Sequence, residues 1–177
     1  MRKWHMAAGT LVAAAAVLLV GATVALAAPE SRQVVMLDAC DGPSFNLALN
    51  DDDACTRPGG VTFDTFINQL VTNGTAPAWR FAPGQAKLEA GGTITASNNG
   101  GELHSFTEVA AFGGGCIPVL NALLGLTPVP ECAQFPAILF TTGAPGGGSV
   151  TTGPLAAGTH LFECLIHPWM RTTVTVG

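Results

Sequence analysis

Gly158-Thr-His-Leu-Phe-Glu-Cys164-Leu-Ile-His167-Pro-Trp-Met170-Arg-Thr-Thr-Val-Thr-Val176 is the stretch on which the fold turns. Thr159–Leu165 and Thr172–Val176 are rich in Thr, Val and Leu, which predicts two strands joined by a tight loop. Upstream, Lys87-Leu88-Glu89 leads into a Gly91-Gly92 turn, and Thr93–Ala96 alternates into the turn Asn98-Asn99-Gly100-Gly101. Leu103–Val109 and Ala137–Thr141 read as further strands. Short strands punctuated by Gly and Pro predict an all-β sandwich or barrel. One segment departs from this pattern. In Val61–Leu70, Phe63, Phe66, Ile67 and Leu70 fall at i, i+3, i+4 and i+7, the face of a short helix stopped by Asn73-Gly74.

The loop between the last two strands carries a thiol at Cys164, an imidazole at His167 and a thioether at Met170. These soft-to-borderline ligands suit copper, which must be held as both Cu(I) and Cu(II). Two imidazoles and a thiolate in a trigonal plane, with a weak axial Met, make the electron-transfer form of such a site. The second imidazole is then His104, which follows a Gly-rich turn and opens the run His104-Ser105-Phe106-Thr107. His160 is the alternative, but four residues of extended strand separate it from Cys164, about 13 Å, too far for one metal.

The segment Cys164-Leu-Ile-His167-Pro-Trp-Met170 resembles the C-terminal copper loop of the cupredoxins, with the short Cys-x-x-His-x-x-Met spacing of the amicyanin-like members. The stretch from Gly91 to Phe106 is similar to that family's strand, Asn turn and first ligand His. The resemblance covers residues 79–177. It implies a cupredoxin-like Greek-key β-sandwich in which His104, Cys164, His167 and Met170 bind one type 1 copper ion. It also implies a carrier of single electrons between redox partners, with no enzymatic turnover. Two positions depart from the pattern. Ile166 stands where amicyanin and plastocyanin have Pro, leaving an N–H that could donate to the Cys164 sulfur and raise the potential. Ser105 stands where many members have Asn, so what ties the two ligand-bearing segments together is open.

Residues 1–27 read as a signal peptide: Arg2 and Lys3, an apolar core, then Ala25-Leu26-Ala27 before Ala28. The chain is thereby exported, periplasmic or extracellular; left uncleaved, the segment would anchor it to a membrane. Residues 28–78 form an N-terminal extension with one small helix, and residues 113–158 a long Gly- and Pro-rich excursion. After residue 27, five cations face twelve carboxylates, a balance of −7 without a basic patch, which argues against nucleic-acid binding. Asp51-Asp52-Asp53 lacks the Gly and distal Glu of a calcium loop and reads as a solvated turn. Glu102, Glu108 and Glu163 read as surface carboxylates.

An exported chain can form disulfides, and five cysteines cannot all pair within it. Of the three connectivities open to the other four, Cys40–Cys55 with Cys116–Cys132 closes the shortest loops and leaves Cys164 free. An exposed Pro168/Trp169 loop over His167 would suit docking by a redox partner protein; alternatively Trp169 plugs the barrel end. Two other readings stay open: copper scavenging, buffering or delivery without electron transfer, and a metal-free interaction domain of the same fold. With only Met36 and Met170 after the leader, a Met-rich Cu(I) carrier is disfavoured.

Overall fold

The computed structural model describes Met1 and residues 30–177, so the leader expected over residues 1–27 lies outside the described residues. In chain order the elements are β1 (Ser31–Leu37), α1 (Gly42–Leu49), α2 (Phe63–Asn73), β2 (Arg80–Ala82), β3 (Gln85–Leu88) and β4 (Thr93–Asn98). Then come β5 (His104–Ser105), β6 (Thr107–Val109), α3 (Pro118–Leu124), a 3-10 turn (Pro130–Gln134), α4 (Leu139–Thr142) and β7 (Gly143–Ala144). The chain closes with β8 (Ser149–Thr151), β9 (Gly158–Glu163) and β10 (Arg171–Val176).

Eight strands form two four-stranded sheets, ordered β2-β1-β4-β8 and β3-β10-β9-β6, and β5 pairs with β7 as a short ribbon. Both sheets are mixed: β1 runs parallel to β4, and β10 parallel to β3. The inner faces follow the period of two. Val34, Met36, Ile94 and Ala96 of one sheet share a core with Leu88, Phe162, Val174 and Val176 of the other. Phe106 bridges them, stacked on Phe162 at 4.3 Å and tilted against Phe81 at 5.3 Å. The fold is therefore a β-sandwich, with helices that the strand-rich reading did not foresee.

The expected helix is present as α2. Thr62 caps it by accepting the Thr65 amide at 3.3 Å, and Gly74 ends it in the left-handed conformation at φ 68°. Phe66 and Leu70 are its buried residues. Helix α1 forms within the Cys40–Cys55 loop, where Asp41 accepts the Ser44 amide at 3.1 Å and Pro43 occupies the first turn. Helix α3 lies inside the excursion. Ala137–Thr141, expected as a strand, is instead a turn at Ala137 and Ile138 running into helix α4: the Thr141 and Thr142 hydroxyls both donate to the Ile138 carbonyl, and Phe140 points to solvent.

Residues 28–78, set apart in the sequence reading, supply β1 between β2 and β4, and α1 and α2 stack on one end of the sandwich. Cys40–Cys55 and Cys116–Cys132 are disulfides and Cys164 is the free thiol, as the loop lengths favoured. Among the described residues no helix is long and apolar enough to cross a membrane.

Candidate metal centre

Strand β9 ends at Glu163 and delivers Cys164 into the turn. The turn closes on itself: the Cys164 amide donates to the Met170 carbonyl at 3.1 Å, and the Met170 amide to the His167 carbonyl at 2.9 Å. Arg171 then pairs back with Glu163 at the start of β10. Three of the four expected ligands are thus held in one ring of seven residues. His104, opening β5, meets them from the other side. All four residues are buried, at 3% exposure or less.

His104 Nδ1 and His167 Nδ1 lie 3.2 Å apart, and each lies 3.9 Å from Cys164 Sγ. A point equidistant from all three corners is about 2.1 Å from each, within the bond range of about 2.0–2.3 Å for a transition metal to imidazole nitrogen and thiolate. The donor set therefore fits a trigonal metal in size as well as in chemistry. Met170 sits fully buried in the same turn. His160 is elsewhere: its Nδ1 pairs with Glu108 at 2.6 Å and its Nε2 donates to the Ala156 carbonyl at 2.9 Å. Asp51, Asp52 and Asp53 are exposed.

Behind each imidazole stands a buried carboxylate. His104 Nε2 lies 2.8 Å from Asp38 Oδ2, with both side chains at 1% exposure or less, so Nε2 donates to the carboxylate and Nδ1 faces His167 and Cys164. Asp38 directly follows the Val34, Met36 alternation of β1, one step further on its inward face. The turn at Gly100-Gly101 folds its backbone onto this carboxylate. Gly101 and Glu102 amides donate to it at 2.9 and 3.1 Å, and a Cβ at position 100 would collide with it. His167 Nε2 lies 3.6 Å from Glu102 Oε2, which also accepts the Trp79 indole N–H. Cys40 neighbours Asp38 and Glu102, but its sulfur is committed to the disulfide, so these carboxylates belong to the same centre.

Burial alone would lift the Asp38 carboxyl; the bonds from His104, Gly101 and Glu102 outweigh it and hold Asp38 at about 2. Burial would likewise depress His104, yet Asp38 and Cys164 raise it to about 9. The Cys164 thiol, which burial would push up, is held well below its ordinary value by the two imidazoles. Burial raises Glu102, and His167 and Trp79 offset this only in part.

Glu102 and Glu163 are therefore not the surface carboxylates expected from the sequence; only Glu108 is. Glu163 is fully buried because the excursion covers the outer face of β9. Its Oε2 accepts the Gly113 amide at 3.1 Å and Arg171 Nε at 3.0 Å. Burial raises Glu163 to about 7, opposed by Gly113 and Arg171.

The departures also resolve. Among the described residues the donor to Cys164 Sγ is the Ser105 amide, at 3.4 Å, and not the Ile166 amide. Ser105 Oγ accepts the Leu165 amide at 2.8 Å, tying β5 to the turn, so the hydroxyl provides the strap between the two ligand-bearing segments. The Pro168/Trp169 loop over His167, expected to be exposed, is instead largely covered. Phe66 of α2 stands edge-on to His167 at 6.3 Å and contacts Trp169 at 5.8 Å, while Pro168 is buried.

No protein-family model matches the chain, and no curated protein matches it. Among solved structures it is similar to a purple cupredoxin from Nitrosopumilus maritimus, at 12% identity over 82% of this chain and 99% of that one, with a TM-score of 0.41. It is also similar to amicyanin from Paracoccus versutus (15% identity, 55% of this chain and 73% of that one, TM-score 0.36). Oxidised plastocyanin from Dryopteris crassirhizoma matches at 18% identity over 56% of this chain and 89% of that one, TM-score 0.36. With superpositions this loose, the metal-binding reading rests on the four side chains themselves.

Proposed function

We propose that this chain is an exported blue copper protein of the cupredoxin kind, passing single electrons between redox partners through one mononuclear His104, Cys164, His167 and Met170 site. The observation that carries the reading is the buried triangle of two Nδ1 atoms and one Sγ, sized for a trigonal metal. Copper would supply a Cu(II)/Cu(I) couple at that position. Cys164 would provide the thiolate, His104 and His167 the two imidazoles, and Met170 the thioether that would hold it. Asp38, Ser105 and the disulfide at Cys40 hold these groups in place, so little rearrangement accompanies a change of charge. Four protein ligands leave no open position of the kind catalytic metals keep, in line with a carrier rather than an enzyme.

Greek-key connectivity and the amicyanin-like loop belong to the same reading. Export is supported by two disulfides and by the leader in the sequence. A redox partner is proposed to dock on the helices that cover the Pro168/Trp169 loop.

The test is the visible spectrum of the folded protein with one equivalent of Cu(II). An intense thiolate-to-copper band, bleached by reductant and lost in Cys164→Ser, is expected. Failure to bind copper would overturn the assignment. Binding with slow self-exchange and easy loss of the metal would favour scavenging or delivery instead.

A further inference from the structure

Beside the metal centre lies a cavity of about 570 Å³, walled by Phe45 of α1, Phe63 and Ile67 of α2, and Leu120 and Leu123 of α3. Its volume is within the range of small-molecule sites, about 300–1,000 Å³. Of its lining residues only Glu102 and His167 are polar. Glu102 is 93% buried, with 7% of its surface exposed. Its Oε2 is engaged by Trp79 and faces His167, whereas Oε1 has no hydrogen-bond partner among the described residues. A carboxylate oxygen left free to accept, in a lining that is otherwise almost wholly apolar, is a polar anchor of the kind that orients a small ligand.

We propose that this cavity binds a small, largely apolar aromatic molecule carrying one hydroxyl, a phenol-like ligand whose O–H donates to Glu102. The walls match an aromatic body, since Phe45, Phe63 and Phe66 offer ring faces and edges. The single free acceptor matches a single donor. An inserted peptide segment would bring backbone N–H and C=O groups that these walls cannot satisfy. The ligand would lie against the His167 imidazole, so an occupied cavity is felt at the metal centre without any contact to the metal.

The site needs no metal, so it is tested on the metal-free full chain and stands apart from the copper assignment. The probes are 4-ethylphenol and ethylbenzene, titrated by calorimetry. Saturable one-to-one binding of 4-ethylphenol is expected, tighter than ethylbenzene. Glu102→Gln should weaken 4-ethylphenol roughly tenfold, the scale of a hydrogen bond to a charged acceptor, and leave ethylbenzene nearly unchanged. Ala122→Phe, at an exposed lining position, should abolish both while the protein keeps its circular dichroism. Absence of saturable binding to the unaltered chain would overturn the proposal. So would equal weakening of both probes by Glu102→Gln, or a dimer in sedimentation that Ala122→Phe dissociates, which would make a second copy the occupant.

Discussion

Asp38 accepts four hydrogen bonds, from the Cys40, Gly101 and Glu102 amides and from His104 Nε2. An asparagine there offers one acceptor oxygen in place of two and no charge. Asp38→Asn should therefore strand at least one buried donor and lower unfolding free energy by about 1–3 kcal/mol, read by urea denaturation. It should also weaken copper binding by about 10–100-fold, the usual effect of losing a carboxylate behind a ligating His. Removing a negative charge from behind the imidazole favours Cu(I), so the reduction potential should rise. Unchanged affinity and potential, measured by chelator competition and spectroelectrochemistry, would show that Asp38 is only structural.

At the scale of elements, helix α2 is the part of the structure that shields the centre. Phe66 packs on Trp79 at 4.6 Å and covers both His167 and Trp169. Phe66→Ala should cost about 3–5 kcal/mol of stability and open His167 to solvent. Faster copper removal by an external chelator, with the thiolate band initially intact, is the expected outcome; an unchanged rate would mean that α2 does not guard the site. Helix α2 was legible because its apolar residues repeat at helical spacing. Helix α1 was not, although Asp41 and Pro43 are start signals, because a disulfide loop explains the same segment. The run Ala137-Ile138-Leu139-Phe140 is continuously apolar, and such a run does not tell strand from helix. The Cys164–Met170 turn was readable as a candidate site because its thiol, imidazole and thioether are local in the chain. Asp38 and Glu102 were hidden because their roles depend on contacts across the sandwich, though the inward alternation Val34, Met36, Asp38 was a usable signal.

Across the whole molecule the two disulfides have different neighbours. Cys40 lies two residues from Asp38, while Cys116–Cys132 staples the excursion that covers Glu163. Replacing either pair by Ala should cost about 3 kcal/mol in a chain-entropy view. Only the Cys40/Cys55 replacement should also lower copper affinity, because it loosens the segment that holds Asp38. Equal copper affinity in the two variants, measured by chelator competition, would refute that distinction.

His104 is 60 residues from Cys164 and 66 from Asp38 along the chain. Contacts of such separation form only when most of the sandwich has closed, and they slow folding. An unfolded chain presents Cys164, His167 and Met170 together but without the second imidazole or its carboxylate. Full grip on a metal thus belongs to the folded state alone, and the energy of binding becomes energy of folding. The ion would be captured after the chain has folded, and once captured it would act as a lock against unfolding.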